Sequence, residues 1–272
     1  MVGRYLGPRK SIAETFAPHE GYPESETINR AYWKTVRDYE GPLGPIPERI
    51  RSLDFLSDIP VGPITRDDVR ARFEEGCDSR AIYWTIVWGY PRARIGNNPD
   101  NIINALMSAE AMADELTTII QESRQSPLSA RSVITRLNKA GRVGASTSSK
   151  VAAMARIHTQ EGECVILDQR VIASIFRNRF IEFENLEREF MPRTVNRRSS
   201  LGERIETAFK RRNEVYAHYV RAVSRVAADL GTTPEQIERF LFRTAPPPAE
   251  MKKINRSWAD TKARRAATRS KS

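Results

Sequence analysis

The stretch Arg142–Val171, RVGASTSSKVAAMARIHTQEGECVILDQRV, decides how this chain is read. It opens on a turn of small residues, Val143–Ser149 (VGASTSS), which leads into an amphipathic segment carrying Lys150. Further on, a short apolar run, Cys164–Leu167, ends in Asp168, 18 positions after the lysine. Gly144 can take a positive φ, and the small residues that follow let the backbone approach a ligand closely. Successive N–H groups in such a turn, beside a helix N-terminus, form a concavity for an anion. A loop suited to phosphate, an amine and a carboxylate at this spacing point to chemistry on DNA. The plainer reading is a tight helix–helix turn that uses glycine for its geometry.

Outward from that stretch, helical periodicity recurs and period-two alternation does not, so the class is all-α. Ser25–Tyr39 reads as a helix with Ser25 as its cap, its apolar Ile28, Tyr32, Val36 and Tyr39 at spacings of four, four and three. Gly41–Pro47 is a breaker cluster, and Pro47–Phe55 reads as a short helix. Thr65 starts a helix that ends near Gly76, and Asp78 caps the next, which stops before Pro91. Asn98-Pro-Asp opens another, and helices are expected over Ala109–Glu122 and Ser129–Ala140. The segment carrying Lys150 should stay helical to about His158. Asp168 should cap a helix reaching Arg177. A long helix over Leu201–Leu230 is closed by Gly231, and Thr233-Pro-Glu begins the last, which ends near Phe242.

Four pieces of this sequence carry a resemblance. Val143–Val151 resembles a hairpin of the form G-V-G-x-x-x-A-x-K-h-h, where h is apolar, and Val165–Val171 resembles P-h-h-D-x-R-h. Trp88-Gly-Tyr-Pro-Arg92 with Asn97-Asn98 resembles a W-K-x-P-R…N segment, and Tyr216-x-x-Tyr219 through Leu230-Gly231 to Phe242 resembles a closing helix pair. These are patterns of the helix-hairpin-helix DNA glycosylases, in particular proteins with the 8-oxoguanine DNA glycosylase fold. The similarity covers the chain from about Asp78 to Phe242. It implies a helix-hairpin-helix DNA glycosylase-like helical bundle with a cleft between two helical subdomains. The corresponding layout is an N-terminal arm over 1–24, a helical domain over 25–244 with its hairpin at about 137–157, and a basic flexible tail over 245–272.

The resemblance also implies roles. Arg142, Val143, Gly144, Ala145 and Ser146 would hold a DNA phosphate, with a monovalent cation often bound at the hairpin. Lys150 falls where the motif places the nucleophile, and a lysine amine can attack the sugar C1′ while the base departs. The amine must be partly neutral to do so, which desolvation or a nearby cation favours. The bland alternative is a solvated surface lysine. Asp168 would stabilise positive charge building on the sugar, orient a water, or shuttle the lysine's proton. As a helix cap alone it would contribute ~1 kcal/mol. Arg170 is a further DNA-binding candidate, with a structural salt bridge as the alternative. A glycosylase acting on duplex must extrude its base into a pocket. Trp88, Arg92 and Asn97 are the preferred walls, and Trp84, Tyr90, Tyr216, Tyr219 and Phe242 are aromatic candidates that can equally be core. Some resembling bacterial proteins are thought to act on phage-modified bases such as glucosylated hydroxymethylcytosine, so anti-phage defence stands beside repair.

Composition sets the bounds. At 272 residues, 40% hydrophobic and 29% charged, the chain can bury a proper core. Its longest apolar runs fall far short of the ~20 residues a membrane span needs, and the first residues lack an apolar signal core. Two cysteines, Cys77 and Cys164, make no disulfide framework, which fits a reducing, cytoplasmic setting. No CxxC or HxxxH is present, so neither a structural zinc site nor a four-Cys iron–sulfur loop is expected, and no metal is assigned. The net charge of +10 favours a polyanionic partner, yet eight basic residues and one acid between Lys252 and Lys271 carry +7 of it. The tail reads as a non-specific DNA tether or a solubilising end, and the loop Arg193–Arg198 (RTVNRR) as another basic candidate.

The expected activity is that of a monomeric DNA glycosylase, a base-excising hydrolase with lyase activity, whose partner is DNA carrying a flipped modified base. The rivals are a monofunctional glycosylase using water activated by Asp168, a non-catalytic helix-hairpin-helix DNA-binding protein, and a helical protein–protein module with a basic tail.

Overall fold

The computed structural model describes residues 8–17, 26–95, 100–192, 199–247 and 249–254. The chain divides into two compact units: Gly21–Ile166 forms one, and the N-terminal residues join those from Leu167 onward in the other.

In the first unit, Glu26–Thr27 (β1) pairs antiparallel with Pro63–Ile64 (β2), Glu26 opposite Ile64. That pairing holds the chain extended where a helix was expected, so α1 spans only Arg30–Arg37. Its cap is Asn29, whose side chain accepts the amides of Ala31 and Tyr32, while Ser25 lies outside the described residues. The expected helix over Pro47–Phe55 is two pieces, α2 (Glu48–Arg51) and a 3-10 turn at Asp54–Leu56. Leu53, left-handed at φ 61°, separates them.

The next two helices begin where a short polar side chain closes them. Thr65 and Asp68 form a reciprocal capping box on α3 (Arg66–Glu75). Asp78 accepts the amides of Arg80 and Ala81 at the start of α4 (Ser79–Gly89). Every residue of α4 from Ala81 to Trp88 is buried, because the helix packs against α3 and, further along the chain, against α6 (Ala109–Gln125) and α8 (Ala145–Met154). Between them lie α5 (Asp100–Met107) and α7 (Ala130–Gly141), the latter capped by Ser129 and packed on α6 and α8. At the end of α7 the backbone runs so close to Met112 of α6 that a Cβ on Gly141 would sit 2.7 Å from the Met112 Cγ.

Helix α8 stops short of the expected His158. Arg156 takes a left-handed φ of 51°, and a two-residue hairpin follows, His158–Thr159 (β3) against Gly162–Glu163 (β4). The Thr159 hydroxyl donates to the Gly162 carbonyl at 2.7 Å and pins that turn.

The second unit contains α9 (Gln169–Asn178), a 3-10 turn at Ile181–Phe183, α10 (Glu184–Phe190), α11 (Leu201–Asp229) and α12 (Pro234–Arg243). Helix α11 packs on α9, α10 and α12, and Gly231, at φ 62°, ends it as the sequence predicts. The described N-terminal residues belong to this packing. Ile12 is fully buried, the Ile181 amide donates to the Lys10 carbonyl at 2.9 Å, and the Ser11 hydroxyl donates to Glu182 at 2.6 Å. Arg9 and Arg204 flank the buried Glu187 at 3.0 and 3.4 Å. Burial pushes the Glu187 carboxyl up, and the two guanidiniums pull it back. Among the described residues no helix is long and apolar enough to cross a membrane. The all-α class holds, the strands among the described residues amounting to two short ribbons.

Candidate active site

The turn between α7 and α8 is built differently from expectation. The left-handed residue is Arg142 (φ 47°, ψ 34°), whereas Gly144 is extended (φ −90°, ψ 166°) and serves as the N-cap of α8. The reversal falls one residue past α7 because its last carbonyls must be closed there. The amides of Arg142 and Val143 both reach the Asn138 carbonyl. A non-glycine residue in this conformation costs on the order of 1 kcal/mol. In return it projects an exposed guanidinium at the mouth of the turn.

Gly144 contributes no side chain to the start of α8. Its carbonyl accepts the amides of Thr147 and Ser148 at 3.0 and 3.2 Å, whereas those of Ala145 and Ser146 precede the helical ladder and point out of its end. An anion placed there meets those N–H groups and the positive end of the helix dipole. The carbonyls around Gly141–Val143, past the last α7 bonds, are the groups that could hold a monovalent cation.

Lys150 lies on α8, six residues past Gly144, and is buried, with 7% of its surface exposed. It is therefore not a solvated surface lysine. Its Nζ sits 5.0 Å from the ring centre of Tyr90 and 3.5 Å from the Ser146 Oγ. Tyr90, just past the end of α4, shares a 2.8 Å hydrogen bond between its hydroxyl and that of Thr147.

Asp168 caps α9. Its Oδ1 accepts the amides of Arg170 and Val171 at 2.9 and 3.0 Å, which fixes the carboxylate. Cys164–Leu167, leading into it, is buried throughout, and Asp168 is half-buried. Arg170 lies over the Phe242 ring at 3.9 Å and donates to the Phe242 carbonyl at 3.4 Å, so its contacts tie α9 to the end of α12. Lys150 lies in the first unit and Asp168 in the second.

The base-pocket candidates separate. Arg92 is exposed and lines a concavity of about 400 Å³ with Tyr32, Gly89, Tyr90, Pro91 and Arg94. Trp88 is buried, with the Arg66 guanidinium 5.5 Å from its ring centre. Asn97 lies outside the described residues, as do the Arg193–Arg198 loop and the tail beyond Ile254. Tyr216 and Tyr219 are core, fully buried on α11, and Trp84 is buried beneath Arg72. Among the described residues no group of three or more His, Cys, Asp or Glu side chains could hold a metal ion. Gly89 and Thr147, which frame Lys150, were not singled out by the sequence, because a glycine at a helix end reads as a stop signal.

Against known proteins, the sequence model of the family described as "Putative 8-oxoguanine DNA glycosylase OGG-like protein" matches residues 21–242. No curated protein and no solved structure matches the chain.

Proposed function

The chain belongs to that OGG-like family, and on this premise we propose that it is a DNA glycosylase excising a damaged or modified base, with Lys150 as nucleophile and associated lyase activity. The observation that supports this reading best is the burial of Lys150 six residues beyond an uncapped helix start. A phosphate held at Ala145 and Ser146, with Arg142 beside it, would bring the sugar backbone near that amine. The lysine's electron pair attacks C1′, the N-glycosidic bond breaks, and the base leaves with the bonding pair and takes up a proton. As the amine sheds its protons its lone pair expels O4′, which takes up a proton as the ring opens to an imine, and loss of a C2′ proton then expels the 3′ phosphate and cleaves the strand. Asp168, held by two amides, supplies the fixed negative charge that stabilises positive charge building on the sugar. The concavity lined by Tyr90 and Arg92 would receive the extruded base, and the modified bases of foreign DNA stand among its candidate substrates.

The test is incubation with duplexes carrying a panel of modified bases and with phage genomic DNAs, scoring abasic sites and nicks. Borohydride should trap a covalent adduct that Lys150→Gln abolishes. Excision that persists in Lys150→Gln without trapping, and is lost in Asp168→Asn, would replace this mechanism with water activation by Asp168. Unchanged DNA binding with no excision on any substrate would leave a binding protein.

A further inference from the structure

Gly89 ends α4 with a φ outside the left-handed region, so no turn geometry calls for glycine there. Glycine at a helical position costs up to about 1 kcal/mol relative to alanine. What calls for it is space. A Cβ at Gly89 would lie 2.7 Å from Cδ and 3.0 Å from Cε of Lys150, and these are the neighbours it would meet. The lysine stem therefore runs across the bare backbone of Gly89 before its amine reaches the face of Tyr90, 5.0 Å from the ring centre. A cation over an aromatic face at this range is attracted by the ring quadrupole. The ring is itself fixed, because its hydroxyl bonds Thr147, which lies three residues before Lys150 on α8, one helical turn away.

Resting on the assignment of Lys150 as nucleophile, we infer that Gly89, Tyr90 and Thr147 are positioning residues that fix the amine's trajectory toward C1′. Gly89 leaves a channel for the stem, Tyr90 carries the amine on its face, and Thr147 ties that platform to the lysine's own helix. Attack on a sugar carbon depends on alignment, and displacing the attacking atom by about 1 Å can cost on the order of 100-fold in rate. The obstructed atoms lie at the far end of a flexible side chain, so a methyl group at Gly89 deflects the lysine and leaves both helices in place.

The experiment uses the full chain and a duplex bearing a pre-formed abasic site, which needs no knowledge of the excised base. The lysine amine adds to the C1′ aldehyde, water leaves, and borohydride delivers hydride to the resulting imine carbon. Single-turnover trapping is followed across protein concentrations, so the maximal rate and the half-saturating concentration separate. Gly89→Ala should lower the maximal rate at least 10-fold while leaving half-saturation and thermal midpoint within error. Tyr90→Leu should do the same, whereas Tyr90→Phe, which keeps the ring and loses the tie to Thr147, should fall only a few-fold. Wild-type rates in Gly89→Ala and Tyr90→Leu, with trapping abolished by Lys150→Gln, would overturn the inference and leave the nucleophile standing. Trapping that survives Lys150→Gln would overturn the nucleophile, and this inference with it. Should Gly89→Ala unfold, the Tyr90 pair decides alone.

Discussion

Two helices carry the proposed chemistry, and they begin in opposite ways. Helix α9 starts at Asp168, whose own carboxylate closes the first amides. Helix α8 starts at Gly144, which has nothing to close them with. The two starts therefore leave different things for a ligand. At α9 the amides are consumed and a fixed negative charge is presented, suited to a cationic transition state. At α8 the amides themselves are presented, suited to a phosphate. A helix start thus presents a fixed carboxylate or a set of free donors according to one residue, the cap.

That contrast can be broken most severely at Asp168. Asp168→Asn keeps an oxygen for the amides but removes the charge, so excision should fall at least about 100-fold with little change in melting temperature. Asp168→Ala should lose as much activity and a further ~1 kcal/mol of stability, read by urea denaturation. If Asp168→Asn retained full activity, the carboxylate would be a cap and nothing more. The hairpin can be disturbed next. Gly141→Ala forces a methyl group into Met112 and should cost about 2 kcal/mol, with weaker duplex binding as α8 shifts. Converting one start into the other sharpens the comparison. Gly144→Asp should stabilise the fold by up to about 1 kcal/mol while weakening duplex binding on the order of 10-fold in fluorescence anisotropy, because a carboxylate then occupies the phosphate's place. The smallest change belongs to Arg142→Ala, which should reduce the slope of log Kd against log salt by about 0.9 if the guanidinium neutralises one phosphate.

The sequence carried most of the helices because their caps are local. Thr65, Asp78, Ser129, Asp168 and Thr233 each announce a start with a side chain that bonds its own next turn. It misled where a distant partner decides. Glu26–Thr27 are extended because Pro63–Ile64 pairs with them, and α8 ends early because Arg156 turns left-handed into a short hairpin. The Gly144 reading failed for a related reason. A glycine invites a positive φ, but the turn needed its left-handed residue where α7 had to be closed, at Arg142. At the site, Lys150, Asp168 and the Trp88–Arg92 segment were read from motif resemblance, whereas the contact of that segment with the lysine stem was not legible. Gly89 and Tyr90 lie about 60 positions upstream of Lys150 and meet it only through the packing of α4 on α8.

The second unit is sewn from two stretches that lie far apart in sequence. Arg9 finds Glu187 across 178 positions, and Ser11 finds Glu182 across 171. During synthesis the Gly21–Ile166 unit can complete itself as one uninterrupted length. The opening residues must wait, already translated, until α10 leaves the ribosome. Final closure of that unit is therefore set late in translation, and deleting the residues that carry Arg9 and Ser11 would leave the Gly21–Ile166 unit sound and the other without its seam.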